Sequence, residues 1–151
     1  MATTTRRFKA TPDQVWDVLA DGWLYPLWVV GASRMREVDD SWPEVGSRLH
    51  HSVGTWPLLL DDNTEVVDSV PGSVLVLHAR AMPTGTAGVT IRLESSGAET
   101  EVSIEEDLIR GPGRLVPKVL RDPSIDWRNT ESLRRLAYVV ERRRARSSST
   151  S

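Results

Sequence analysis

The spacing of apolar residues changes twice along this chain, and the changes divide it into three zones. Residues 3 to 9 alternate weakly, and residues 12 to 30 then place apolar side chains at helical spacing. From 33 to 108 the two-residue period of strands runs through six segments, and beyond 125 the helical period returns until 144. This order predicts an α+β fold: one strand, two short helices, six more strands, and a long helix laid against the resulting sheet.

Thr11, Pro12 and Gln14 carry the signals of a helix start, namely an N-cap, a proline at the first helical position and the partner of a capping box. Val15, Trp16 and Leu19 follow on one face, and Asp21-Gly22 is expected to end the helix as a left-handed cap. The run WLYPLWVV forms a second short helix with Pro26 near its first turn, closed by Gly31. Tyr25 and Trp28 are candidates for the lip of a pocket.

The strand-like segments cover residues 33 to 38, 47 to 53, 58 to 67, 73 to 81, 87 to 94 and 100 to 108. Pro71-Gly72, Pro83 to Gly85 and Ser95 to Gly97 separate them by connections short enough for hairpins, which predicts an antiparallel meander. Alternation turns Leu75, Leu77, Ala79, Ala87, Val89, Ile91, Leu93, Val102 and Ile104 inward. In the third segment, Asp62/Thr64 and Asp61/Glu65 compete as the inward pair. Residues 109 to 123, rich in glycine and proline, read as a loop across one mouth of the sheet. The final helix, 125 to 144, has Ile125, Asn129, Leu133, Leu136, Ala137 and Val140 on one stripe.

The chain's 151 residues suit one domain, expected over 1 to 144, with a polar disordered tail from 145 to 151. The net charge of -2 argues against nucleic acid as a partner. Without cysteine there is no disulfide and no thiolate metal site. No signal peptide and no run long enough to span a bilayer is present, so the expectation is a cytoplasmic protein, monomer or homodimer, without integral membrane association.

Three polar residues interrupt the apolar framework. His50 and His51 point to opposite faces of one strand, and His51 shares its face with Leu49 and Val53, as a hydrogen-bond donor, a general base or a structural histidine. Glu106 continues the face of Val102 and Ile104. It either handles a ligand proton or hydroxyl, or is engaged by the loop amides of 111 to 113 or by Arg128. Asn129 sits on the helix stripe and must find partners for its amide. No glycine fingerprint for a nucleotide, no nucleophile motif and no metal-ligand spacing occurs, so neither cofactor nor metal is expected.

The segments VWDVLADGWLYPLWVVGASRMREVD, GSRLHHSVGTWPLLL and RDPSIDWRNTESLRRLAYVVERR together resemble the START-like, polyketide cyclase/dehydrase and lipid-transport (SRPBCC) superfamily, above all its small stand-alone actinobacterial members. The resemblance implies a helix-grip fold, a curved antiparallel sheet of about seven strands wrapped around the C-terminal helix, with a deep hydrophobic cavity. It carries no universal catalytic set. The expected ligand is a small hydrophobic or aromatic molecule, held by Trp28, Leu49, His51, Val53, Leu77, Ile91, Val102, Ile104, Glu106, Asn129, Leu133 and Leu136. The rival is a cyclase or dehydratase acting on an aromatic or polyketide-type substrate, with His51 or Glu106 moving a proton.

Overall fold

A computed structural model of the chain describes residues 2 to 29, 32 to 53, 60 to 81, 85 to 110 and 118 to 149. Within these, the side chains of 2, 32 to 36, 51 to 53, 60 to 62, 81, 85, 108, 110, 118 to 125 and 147 to 149 lie outside the description.

Strand β1 (Ala2–Phe8) leads into helix α1 (Pro12–Leu19), a 3-10 turn (Gly22–Leu24) and helix α2 (Tyr25–Trp28). Six strands follow: β2 (Ala32–Val38), β3 (Arg48–Val53), β4 (Leu60–Val70), β5 (Val74–Ala81), β6 (Gly85–Ser96) and β7 (Glu99–Arg110). Helix α3 (Lys118–Ser149) completes the chain. The strands form one seven-stranded sheet in the order β1-β7-β6-β5-β4-β3-β2, with every neighbouring pair antiparallel. β1 therefore skips across the chain to pair with β7, and its register sets Phe8 opposite Thr100. The helix-grip architecture expected from the pattern is present.

The capping box is formed as the residue types predict: Thr11 accepts from the Gln14 amide at 3.3 Å, and Gln14 accepts from the Thr11 amide at 2.9 Å. The end of α1 differs from expectation. Ala20, in right-handed conformation, is its C-cap, while the Asp21 carboxylate accepts from the Trp23 amide and opens the 3-10 turn. Gly22 is needed for space and not for a left-handed turn: a Cβ there would stand 2.5 Å from Leu49 Cδ2 and 2.8 Å from Val38 Cγ1. Left-handed glycines occur where chain reversal demands them, at Gly72 between β4 and β5 (φ 75°) and Gly97 between β6 and β7 (φ 64°).

The loop expected over 109 to 123 is shorter at both ends. β7 continues to Arg110 because its partner β6 begins at Gly85 and offers a ladder that far, and α3 begins at Lys118. The proline at 123 falls inside the helix, so a proline that reads as a terminator is accommodated near the N-terminal end. Helical backbone also continues through residues 145 to 149, where the sequence places a polar tail. Gly31 lies outside the described residues.

The core lies between the concave sheet face, α3 and the short helices. Inward residues Leu49, Val66, Leu75, Leu77, Ile91, Leu93, Val102 and Ile104 are buried, as are Leu133, Leu136, Ala137 and Val140 of α3. Phe8, Val15, Val18 and Leu19 close the same cluster from the α1 side. Each fully buried side chain of this kind contributes about 1.5–3 kcal/mol. The β4 ambiguity is resolved by burial, with Thr64 and Val66 at 0% and 1% exposure. Glu65 instead lies 3.7 Å from Arg48 on the outer face. Register shifts in β2–β3, β4–β5 and β6–β7 are the bulges that let an antiparallel sheet bend around a helix.

Candidate functional site

Strand register lays the inner face out in rows. Val66, Leu77, Val89 and Glu106 stand side by side across β4 to β7, so the row ends in a carboxylate after three apolar residues. The next row runs Leu49, Thr64, Ala79 and Ala87. Of the buried polar residues, Thr64 and Glu106 stand on these rows and Asn129 and Ser132 on α3, while Ser47 and Thr100 are engaged by the backbone of Glu44 and Ala10.

Glu106, with its side chain 9% exposed, accepts a hydrogen bond from Nη2 of Arg128, which reaches in from α3 and is itself 42% exposed. Of the alternatives open at Glu106, the arginine pair is the one formed. The adjacent Asn129 is 4% exposed, and its Nδ2 has no hydrogen-bond partner among the described residues. A buried amide donor of this kind costs about 1–3 kcal/mol when it stays unpaired. Tyr25 enters from α2 with its hydroxyl 3.5 Å from Thr64 Oγ1. Burial raises the Tyr25 phenol above its ordinary value; the Thr64 contact opposes this, the Glu106 charge adds to it, and Arg128 counters. Two elements from opposite ends of the chain and two sheet rows thus bring Tyr25, Thr64, Glu106 and Arg128 into one polar cluster in an apolar interior, and Asn129 follows Arg128 on α3.

Trp28, Leu49, Leu77, Ile91, Val102, Ile104, Leu133 and Leu136, all expected to line a pocket, belong to one buried cluster. Trp28 packs edge-on against Tyr25 at 5.4 Å between ring centres, so both are interior groups and not an exposed lip. The side chains of His51 and Val53 lie outside the description; the backbone of β3 sets His51 opposite Asp62 and Val53 opposite Leu60. His50, on the other face, bonds the Asp39 carboxylate at 3.2 Å, which ties it to the β2–β3 connection. Among the described residues no three acidic or histidine side chains converge as metal ligands.

Val66 and Val89 went unassigned to the site by sequence, although strict alternation from Thr64 and Ile91 points to both. The arginines of α3 at 134, 135, 142, 143 and 146 carry no pattern in the sequence that points to a site. They form a wall of an open groove of about 630 Å³ whose other wall is Leu24 and Leu27.

This architecture is that of a ligand-binding or cyclase/dehydrase superfamily, and the chain belongs to the family of polyketide cyclase/dehydrase and lipid transport proteins, whose model matches residues 1–141. No curated protein matches it. Among solved structures it is similar to protein NE0264 from Nitrosomonas europaea, at 15% identity and a TM-score of 0.73 over 95% of each chain. It also resembles DynU16, a putative protein in the dynemicin biosynthetic locus, at 18% identity and a TM-score of 0.65, covering 93% of this chain and 46% of that one. Ara h 8.0201 matches at 10% identity and a TM-score of 0.66, over 91% and 95%. At these identities the likenesses establish a shared fold. No described helix is long and apolar enough to cross a membrane.

Proposed function

We propose that the protein binds and carries a small hydrophobic or amphipathic molecule between the sheet and α3, oriented by Tyr25, Glu106 and Asn129. The observation that carries this reading is the buried Nδ2 of Asn129, which has no partner among the described residues. A donor in that position is best explained by an acceptor that arrives with a ligand, since folding alone leaves its desolvation uncompensated. The family assignment supports the same reading through its lipid-transport members, and the apolar rows supply non-directional contacts for a hydrophobic body. His51 and Val53 extend the proposed wall along β3.

The carrier is preferred over a cyclase because Arg128 holds Oε2 of Glu106 and so fixes this carboxylate as an orienting acceptor, with Oε1 left for a ligand hydroxyl. The decisive experiment is native mass spectrometry of purified protein, followed by affinity measurements with whatever co-purifies. The expected result is a bound small molecule whose affinity falls by about 1–3 kcal/mol in Asn129→Leu and in Glu106→Gln, the size of a lost buried hydrogen bond. Turnover of that molecule by the wild type, reduced a hundredfold or more in Glu106→Gln with affinity intact, would overturn the carrier reading in favour of the enzyme.

A further inference from the structure

The short helix α2 has two faces with different company. Tyr25 and Trp28 point into the core, whereas Leu27 is 57% exposed and, with Leu24, lines the groove that α2 forms with the outer face of α3. Val139 and Tyr138 continue the apolar floor on the α3 side. Along that floor run Arg134, Arg135, Arg142, Arg143 and Arg146. Successive arginines are one, seven, one and three residues apart, with Tyr138 and Val139 filling the turn between them, so they make one helical stripe about 18 Å long, at 1.5 Å per residue.

The charge of this stripe is out of keeping with the whole molecule, whose formal net charge is -2. Five guanidinium groups line the groove, and Glu131 answers two of them, Arg134 at 2.6 Å and Arg135 at 3.0 Å. Hydrogen bonds from Arg134 and then Arg135 hold the Glu131 carboxyl near a pKa of about 2, so this pairing is constant over ordinary pH. Arg142 has a neutral partner: its guanidinium lies 5.6 Å from the centre of the Tyr138 ring and donates to the Tyr138 hydroxyl. Arg143 and Arg146 add two more cations along the same edge. Glu131 carries one negative charge against the two arginines it holds, so with the neutral partner of Arg142 the groove keeps an excess of positive charge.

We propose that this groove is a second binding site, separate from the interior one, for a single-chain anionic amphiphile whose acidic head pairs with Arg142 and Arg143 while its tail lies against Leu24, Leu27 and Val139. Two features select this occupant. An apolar floor with a cationic wall complements a molecule that is itself half apolar and half anionic. The site is also a recess of about 630 Å³, which one molecule can fill and a flat bilayer surface cannot. The inference does not rest on the interior reading, because α2 lies between the two sites and turns a different face to each.

The test uses full-length protein and dodecyl phosphate below its micelle-forming concentration, with binding followed by calorimetry and by amide chemical-shift mapping. The expected result is saturable binding with shifts at residues 24 to 27 and 134 to 146. Affinity should fall tenfold or more in Arg142→Glu/Arg143→Glu, fivefold or more in Leu27→Asp, and tenfold or more when neutral dodecyl maltoside replaces the phosphate. All three substituted side chains are exposed, so the fold is preserved, and thermal unfolding of each variant checks this. Unchanged affinity in the double arginine variant, or shifts confined to the interior strands, would place the amphiphile in the interior and overturn the proposal. Recruitment to phosphatidylglycerol vesicles that the same variants abolish, without binding of the monomeric probe, would overturn it in favour of a membrane surface.

Discussion

Asn129 carries a measurable consequence of its own. Among the described residues its buried Nδ2 has no partner, so in the ligand-free protein Asn129→Leu should raise stability by about 1–2 kcal/mol, since the substitution removes an uncompensated donor and adds apolar contact with the same number of side-chain heavy atoms. Urea unfolding checks this; a loss of stability instead would mean that the amide is satisfied in the folded state. Tyr25 supplies the pH test. Burial raises its phenol above the ordinary value of 10.0, so the folded state holds that proton more tightly than the unfolded state does. Its contribution is complete below pH 10 and is lost as pH rises through the folded value. Spectrophotometric titration of the folded protein should show a phenol that resists ionisation above pH 10, and Tyr25→Phe should remove that late component.

At the scale of elements, the entry to α2 depends on a close approach. Gly22 lets the 3-10 turn lie against Leu49 of β3 and Val38 of β2, with no room for a methyl group. Gly22→Ala should therefore cost about 1–3 kcal/mol through forced displacement, read as a lower thermal midpoint. Gly97→Ala would test a different cause, because a Cβ there meets nothing within 4 Å and only its positive φ resists substitution. The capping box of α1 was legible from Thr11, Pro12 and Gln14 because all its partners lie within one turn. The end of α1 was not. Asp21-Gly22 reads locally as a cap, and only the packing of Gly22 on distant strands reveals its role.

For the whole molecule, α3 is gripped through one stripe, and the two sides of that stripe should respond differently. Leu133 is 1% exposed, so Leu133→Arg buries a charge against the sheet and should cost several kcal/mol, abolishing binding of apolar probes. Arg134 is exposed and pairs with Glu131 on its own helix, so Arg134→Ala should change stability by less than about 0.5 kcal/mol. Comparable losses from both would contradict the orientation of α3. The pairing of β1 with β7 bears on the same scale: it joins the chain's start to the strand that carries Glu106 and leaves β1 and β2 as the two sheet edges.

Sequence alone determined whatever depends on local periodicity: seven strands with their inward faces at Leu75, Leu77, Ile91, Val102 and Ile104, the α1 start, and the apolar stripe of α3. These follow from spacings of two and 3.6 residues, which need no distant partner to be recognised. Where two registers were equally apolar, as around Leu58 to Leu60, alternation was silent, and burial decided that Thr64 and Val66 face inward. Only the tertiary structure decided which alternative Glu106 adopts, because Arg128 lies 22 positions away and meets it through the packing of α3 on β7. It also brought Tyr25 to Thr64 and turned a run of arginines into the wall of a groove by setting Leu24 and Leu27 opposite. A site is a convergence of separate elements, and convergence depends on how those elements pack, which period along a single chain does not encode.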